Sequence, residues 1–360
     1  MKLFKTHFGA YGVFCFLSLS LAIFFSSCQK DSKTPEPVES SSKVPTSSLA
    51  TRSFSLAATN VTPAFPTSFT WVAPISLSGK SFQTIRGVGI NGGTGPCISL
   101  NNCHDIHITK SQLQNNGAIT GAIYLYNCYN IYIDTCIIAN AVRGVLATRC
   151  TNNIRIVYNR IYNTTDPNLM KNGGGNAVQL NNCNGTGMRI DSNFIYDPYR
   201  TNYVGDKISL YQCNGTASSY IRVWYNHIRG GSSNPAGFTG IALGDAGQSS
   251  YQDAEYNIAC STGNVGMVIG GGQHMIMSNN SVYGARLSPS SAGIMAFNNT
   301  TQAMSDININ YNKINWTNSA NAVDNYWYNP TAGAVKSTGN TTPGKGDPTI
   351  TDAILPNPLF

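Results

Sequence analysis

Short runs of alternating apolar residues recur along most of the chain, each broken by a polar corner. The stretch from Ala122 to Ala139, AIYLYNCYNIYIDTCIIA, holds two of them, Ile123/Leu125 and Ile131/Ile133, with an Asn127–Cys128 corner between. Alternation with period two over so few residues is a strand signal, too short for a helix. The pattern returns at Cys97–Leu113, CISLNNCHDIHITKSQL, and from Lys207 to Ile228, KISLYQC…SYIRVWYNHI. A repeat of roughly 22 to 34 residues built from short strands and polar corners predicts a solenoid of stacked β-coils.

The first coil is expected over Trp71 to Gly95, and later ones begin near Cys97, Ala122, Gly144, Ala177, Lys207, Gly240, Met267 and Ile294, about nine in all. First strands turn pairs such as Ile98/Leu100, Val178/Leu180 and Ile241/Leu243 inward; second strands do so with Ile106/Ile108, Met188/Ile190 and Ile307/Ile309. Three residues beyond the last inward residue of a first strand stand Cys103, Cys128, Cys150, Cys183 and Cys213, predicting a ladder of buried thiols at one corner. Coils about 4.8 Å apart leave a disulfide between neighbours geometrically open. Three residues beyond each second strand stand Ser111, Cys136, and then Asn159, Asn193, Asn226, Asn257, Asn280 and Asn312. Asparagines at one structural position can bond their copies in the next coil and satisfy a buried bend.

With these ladders, residues 71 to 320 resemble the right-handed parallel β-helix proteins of the pectin lyase-like superfamily. The resemblance implies an all-β fold with a single right-handed β-helix, and a groove on the first-strand face that takes polysaccharide. It leaves the chemistry open, because one fold hosts many functions. The active-site strings associated with pectate lyases and polygalacturonases are missing: there is no paired-aspartate run with Gly-His-Gly and no Arg-x-Pro-x-x-Arg.

The N-terminus adds an address. Met1-Lys2-Leu3-Phe4-Lys5 precedes an apolar run from Phe8 to Phe25 and then Ser26-Ser27-Cys28. A basic start, a short apolar core and small residues read as a secretory signal. The cysteine after two serines resembles a bacterial lipoprotein signal, with Cys28 lipidated; Gln29-Lys30-Asp31 looks like the export tag of surface lipoproteins from Bacteroidetes-type bacteria. The chain therefore divides into a signal (1–27), a Ser/Thr/Pro-rich tether (28–65), the β-helix (66–322) and a C-terminal cap (323–360), with the protein expected as a monomer held at the outer membrane, on the cell surface. The formal charge of +7, about +5 once Lys2 and Lys5 leave with the signal, leans towards anionic partners but is too small to indicate nucleic acid.

Candidate chemistry lies on the first-strand face, where Tyr124, Tyr126, Gln179, Asn181, Ser209 and Tyr211 point outward and would contact sugar rings and hydroxyls. Long Gly-, Pro- and Ser-rich excursions at Asn163–Gly175, Asp197–Asp206, Gly230–Gly240 and Gly284–Gly293 leave one edge and would wall that face. Lys207 is expected to rise among small counterparts (Ala122, Gly144, Ala177, Gly240) beside Asp197, Arg200 and Asp206. A lysine there could abstract the proton beside a uronate carboxylate, with Arg200, Arg229 or Arg143 neutralising that carboxylate. Hydrolysis would need two carboxylates. Asp206 and Asp245 lie one coil apart, but the register predicts about six residues of strand between them, on the order of 20 Å. Asp245 instead aligns with the corner residues Asn102, Asn127 and Asn182, and Asp206 would pair with Asp197 or Asp166. Arg155, Arg189 and Arg222 should stack on neighbouring coils, with Asp191 and Trp224 as compensation. No zinc-type Cys/His cluster and no phosphate-loop context appear, and no ligand set supports a cofactor, calcium included. The reading is an anchored β-helix that binds and cleaves a polysaccharide, an acidic one by preference, by elimination or hydrolysis. The alternatives are a non-catalytic glycan-binding solenoid and a structural envelope protein.

Overall fold

The structure, a computed structural model, describes residues 64–355 apart from 116–119, 165–174, 198–204, 232–238, 247, 287–289, 299–302 and 330–334. Cys28 and Arg200, with the signal, the tether up to residue 63 and Asp166, lie outside the described residues. The remainder is a right-handed parallel β-helix made of three parallel sheets of ten strands each. The first sheet runs from Ile75–Ser78 to Tyr326–Tyr328, the second from Ser81–Arg86 to Val335–Thr338, and the third from Thr70–Val72 to Lys313–Trp316.

Strand positions one coil apart pair in register, so like side chains stack. In the first sheet, Ile98 pairs with Ile123, Ile123 with Val145, Val145 with Val178, and Val178 with Ile208. Those side chains are fully buried. Each contributes roughly 1.5–3 kcal/mol by leaving water, and the repeat makes the contribution from every coil. The column continues to Tyr326, which pairs with Ile294, while Val335 pairs with Ile307. The tail after residue 322 thus supplies a tenth strand to two sheets rather than serving wholly as a cap. Its last part lies along the third sheet, where Arg229 donates to the carbonyl of Leu355 at 2.6 Å.

Corners are fixed by backbone that most residues avoid. Between first and second sheets, Asn102, Asn127, Arg149, Asn182, Gln212 and Ala246 all have φ near +50°. Asparagine enters this left-handed region at least expense among side-chain-bearing residues, which accounts for its recurrence there. Just beyond stand the cysteines, all buried and all free thiols. Cys128 donates its backbone N–H to Cys150 Sγ, and Cys183 to Cys213 Sγ, each at 3.4 Å. The ladder is therefore stacked thiols, with no disulfide among the described residues. Between second and third sheets the asparagine ladder is continuous. Asn193 N–H donates to Asn226 Oδ1 at 3.0 Å and Asn226 N–H to Asn257 Oδ1 at 2.9 Å, while Asn226 Nδ2 donates back to the carbonyl of Ile190 at 2.7 Å. Asn340 closes it, accepting from Asn312 at 2.8 Å.

Candidate functional site

All four long excursions leave the third sheet and return to the first, so their ends stand beside the outer face of the first sheet. That face has two outward rows. One contains Tyr124, Leu146, Gln179, Ser209 and Ala242; the other contains Tyr126, Thr148, Asn181, Tyr211 and Asp245. The expected sugar-contacting residues are therefore brought onto one surface. Tyr124 and Tyr126 lie with ring centroids 6.5 Å apart, and Arg149 donates to the Tyr126 hydroxyl at 3.0 Å. Ser209 differs from expectation because it is buried, its hydroxyl donating to Asp245 Oδ2 at 2.8 Å.

The placement of Asp245 corrects the sequence register. The strand Thr239–Asp245 carries a bulge, so that Tyr211 faces Asp245 and Gln212 bonds the carbonyl of Asp245. Ala246, with φ +53°, takes the corner position that Asp245 was expected to hold. One extra residue does this. Gly244 (φ +62°) stands between Leu243 and Asp245, and a β-carbon on it would lie 2.1 Å from the Gly271 carbonyl. A glycine inside a strand is the signal that could have revealed the bulge.

Asp245 consequently lies in the outward row and leans back towards Ser209, near enough for its charge to act on Asp206. Asp206 is half-buried and accepts from the backbone N–H and hydroxyl of Thr239 at 2.9 and 3.0 Å. Desolvation, reinforced by the charge of Asp245, pushes the Asp206 carboxyl up to about 7. Burial raises Asp245 as well, against the Ser209 hydrogen bond. At about 7, the Asp206 carboxyl is roughly half protonated at neutral pH. The bulge shortens the expected offset by one residue: Asp245 lies level with Tyr211, five residues along the strand from Asp206.

Lys207 does not stand in this face. Its counterparts point into the tight corner between third and first sheets. A β-carbon on Gly144 would lie 2.8 Å from Ile161 Cγ2, and one on Gly266 2.3 Å from Val282 Cγ1, both atoms of the core. Lys207 fills this corner, 0% exposed, and donates to Asp197 Oδ2 at 2.5 Å. Asp197 is equally buried and accepts from the N–H and hydroxyl of Thr164 at 2.6 and 2.8 Å. Burial lowers the Lys207 ammonium, with Asp197 opposing the shift. The small-residue strip is small because it faces inward, so the expected amine base is sealed from substrate. Arg229, expected to neutralise a uronate, is held instead by Asp352 Oδ1 at 2.9 Å and by the Leu355 carbonyl. Of the expected catalytic set the structure brings together Lys207 with Asp197, and places Asp206 beside Thr239. Among the described residues no group of three His, Cys, Asp or Glu side chains is placed to hold a metal ion.

No family model matches the chain, and no curated protein does. One solved structure similar to it is the catalytic domain of a GH87 alpha-1,3-glucanase in complex with tetrasaccharides. The two share 12% identity at a TM-score of 0.32, over 76% of this chain and 64% of that one. The chain thus spans a little under two thirds of that domain, and a likeness so distant says nothing about its chemistry.

Proposed function

We propose that the protein is an exported β-helix that binds a polysaccharide along the outer face of its first sheet and hydrolyses it with Asp206 and Asp245. The supporting observation is Asp206, whose carboxyl is raised to about 7, first by burial and then by the charge of Asp245. A protonated Asp206 can give its proton to the glycosidic oxygen as the bond breaks. Asp245 can serve the opposite face of the ring as base or nucleophile. Tyr124, Tyr126, Gln179, Asn181 and Tyr211 supply ring contacts and hydroxyl partners on either side. Elimination has less support, because Lys207 is sealed and Arg229 is occupied by the tail. With carboxyls at its centre this face suits a neutral chain better than an acidic one. Lipidation at Cys28 and an outer-membrane location belong to the same reading and rest on the sequence.

One observation favours a non-catalytic glycan-binding reading instead: Thr239 and Ser209 already engage the two carboxyls. The deciding assay incubates the protein with neutral and uronate-containing polysaccharides and reads new reducing ends together with unsaturated-product absorbance. Reducing ends are expected without absorbance, falling as pH climbs past about 7, and lost in Asp206→Asn and in Asp245→Asn. Reducing ends undiminished in both variants would overturn the assignment. Silence on both readouts with retention in a glycan gel would establish the binding module.

A further inference from the structure

The outer face of the second sheet carries a band of charge that the first-sheet site does not use. Register aligns His107, Tyr132, Arg155, Arg189, Arg222 and Asp253 in one row across six successive coils. Three guanidiniums therefore stand on neighbouring coils, about 4.8 Å apart. Of the three, only Arg222 makes a direct ion pair among the described residues. It donates from Nε to Asp191 Oδ2 at 2.9 Å, pairs with the same oxygen through Nη2, and lies 4.4 Å over the Trp224 ring. Asp191 spends its other oxygen on the Trp224 N–H at 3.1 Å. Arg155 and Arg189 form no ion pair among the described residues, although Arg189 lies within reach of the Asp191 charge. Arg155 is exposed and Arg189 half-buried.

The acidic residues around the band do not cancel these two charges. Asp134 is engaged by His107 at 2.6 Å and by Thr109 at 2.5 Å. Asp253 holds the Trp224 indole N–H at 2.9 Å, is 8% exposed, and has its other oxygen buried without a partner. Burial and the neighbouring Glu255 push it up to about 8, so it is largely uncharged at neutral pH. Stacked guanidiniums repel one another, and a fold that keeps two of them unpaired on a flat sheet presents a ready site for an extended anion.

We propose that this face is a second glycan site, distinct from the first-sheet groove, that takes an anionic polysaccharide through Arg155 and Arg189. A chain lying along the helix axis would meet one coil per sugar, since the coil spacing is close to the length of a pyranose unit. Successive carboxylate or sulfate groups would then fall on successive arginines, with Tyr132 at the end of the cationic run offering a ring edge. The assignment complements the first sheet, whose carboxyls would repel such a chain. It does not require hydrolysis at Asp206.

The test is affinity electrophoresis of the purified full chain through gels containing polygalacturonate, dextran sulfate or neutral dextran. Retention is expected in polygalacturonate or in dextran sulfate, whichever anion fits, and not in dextran. Arg155→Gln with Arg189→Gln should weaken it at least tenfold, on the order expected for two charge-assisted contacts. A charge-matched control, Lys313→Gln with Lys345→Gln, should leave it within about twofold. Asp206→Asn should also leave it unchanged, which separates failure of this site from failure of the catalytic reading. Equal loss in the lysine control would show mere net charge and overturn the proposal. So would full retention of the arginine variant, no retention by either anionic polymer, or stronger displacement by single-stranded DNA than by the free polysaccharide.

Discussion

The Lys207–Asp197 pair gives the sharpest test of how this corner is built. Both side chains are 0% exposed, and their shared hydrogen bond gives the ammonium its one direct partner among the described residues. Replacing Asp197 by Asn keeps the shape and removes the counter-charge. The ammonium would then keep only the more distant charge of Asp206. An uncompensated buried charge is destabilising by about 3–5 kcal/mol. In a domain of this size that should lower the midpoint of thermal unfolding by roughly 10 °C. Lys207→Met removes the charge while its chain still fills the corner, leaving Asp197 with the two Thr164 hydrogen bonds. The double variant, Asp197→Asn with Lys207→Met, should return to within about 1 kcal/mol of wild type, because well-packed neutral groups replace buried ion pairs at little cost.

The assay is urea unfolding at pH 7, followed by circular dichroism and tryptophan fluorescence, for all four proteins in one double-mutant cycle. Two outcomes refute the reasoning. Asp197→Asn as stable as wild type would mean that the ammonium is hydrated, and a double variant as unstable as the two singles summed would mean that the groups do not interact. A third readout is turnover. If Lys207 were a catalytic base, Lys207→Met would abolish activity without loss of stability, whereas a packing role predicts destabilisation with activity retained in the folded protein.

Two other perturbations probe the frame and the second sheet. Asn226→Ala deletes one rung of the asparagine ladder, leaving the Asn193 N–H and the Ile190 carbonyl without their partners in a closed corner; a loss of about 3 kcal/mol or more is expected in urea unfolding, and less than 1 kcal/mol would show that water replaces the rung. For Asp253 the folded carboxyl is raised to about 8 against about 4 in the unfolded chain, so its favourable contribution is complete below about pH 4 and disappears as pH rises to about 8. Asp253→Asn should therefore gain on wild type progressively across that window in thermal unfolding, and parallel pH profiles for the two proteins would refute the assignment.

The fold was legible because period-two alternation and corner chemistry repeat in every coil. Ile123/Leu125 and Ile131/Ile133 could face one way only if the coil closed, and six asparagines at one offset left little choice of corner. The site was less legible because it sits where the period fails. At Lys207 and Ile208 two consecutive residues are buried, since the chain bends between sheets and both neighbours of the bend point inward. Alternation counted back from Ile208 therefore turns Lys207 outward, and a structural ion pair reads as a base. At Gly244 one inserted residue moves Asp245 from the corner to the outward row, level with Tyr211 and bonded by Ser209. The tenth coil was hidden for a related reason: Tyr326–Tyr328 pairs with Ile294–Ala296, but tyrosines replace the aliphatic pair expected there.

These departures share a physical origin. In a solenoid each coil is templated by its neighbour, so hydrogen-bonding register carries over from coil to coil unless something forces a change. A charged residue in a corner or an extra residue in a strand works against that templating, and the neighbouring coils must accommodate it. In this chain both departures fall in the coils that begin at Lys207 and Thr239, next to two of the long excursions. The buried Lys207–Asp197 pair ties the end of one third-sheet strand to the start of the next first-sheet strand, directly after Asp206. The bulge at Gly244 moves Asp245 into the outward row, where it accepts from the Ser209 hydroxyl. A chain selected for stacking alone would have put Ala or Gly at 207 and omitted Gly244, as its other coils do. Each irregularity adjoins one of the two carboxyls, and that placement is the strongest structural reason to look for chemistry there.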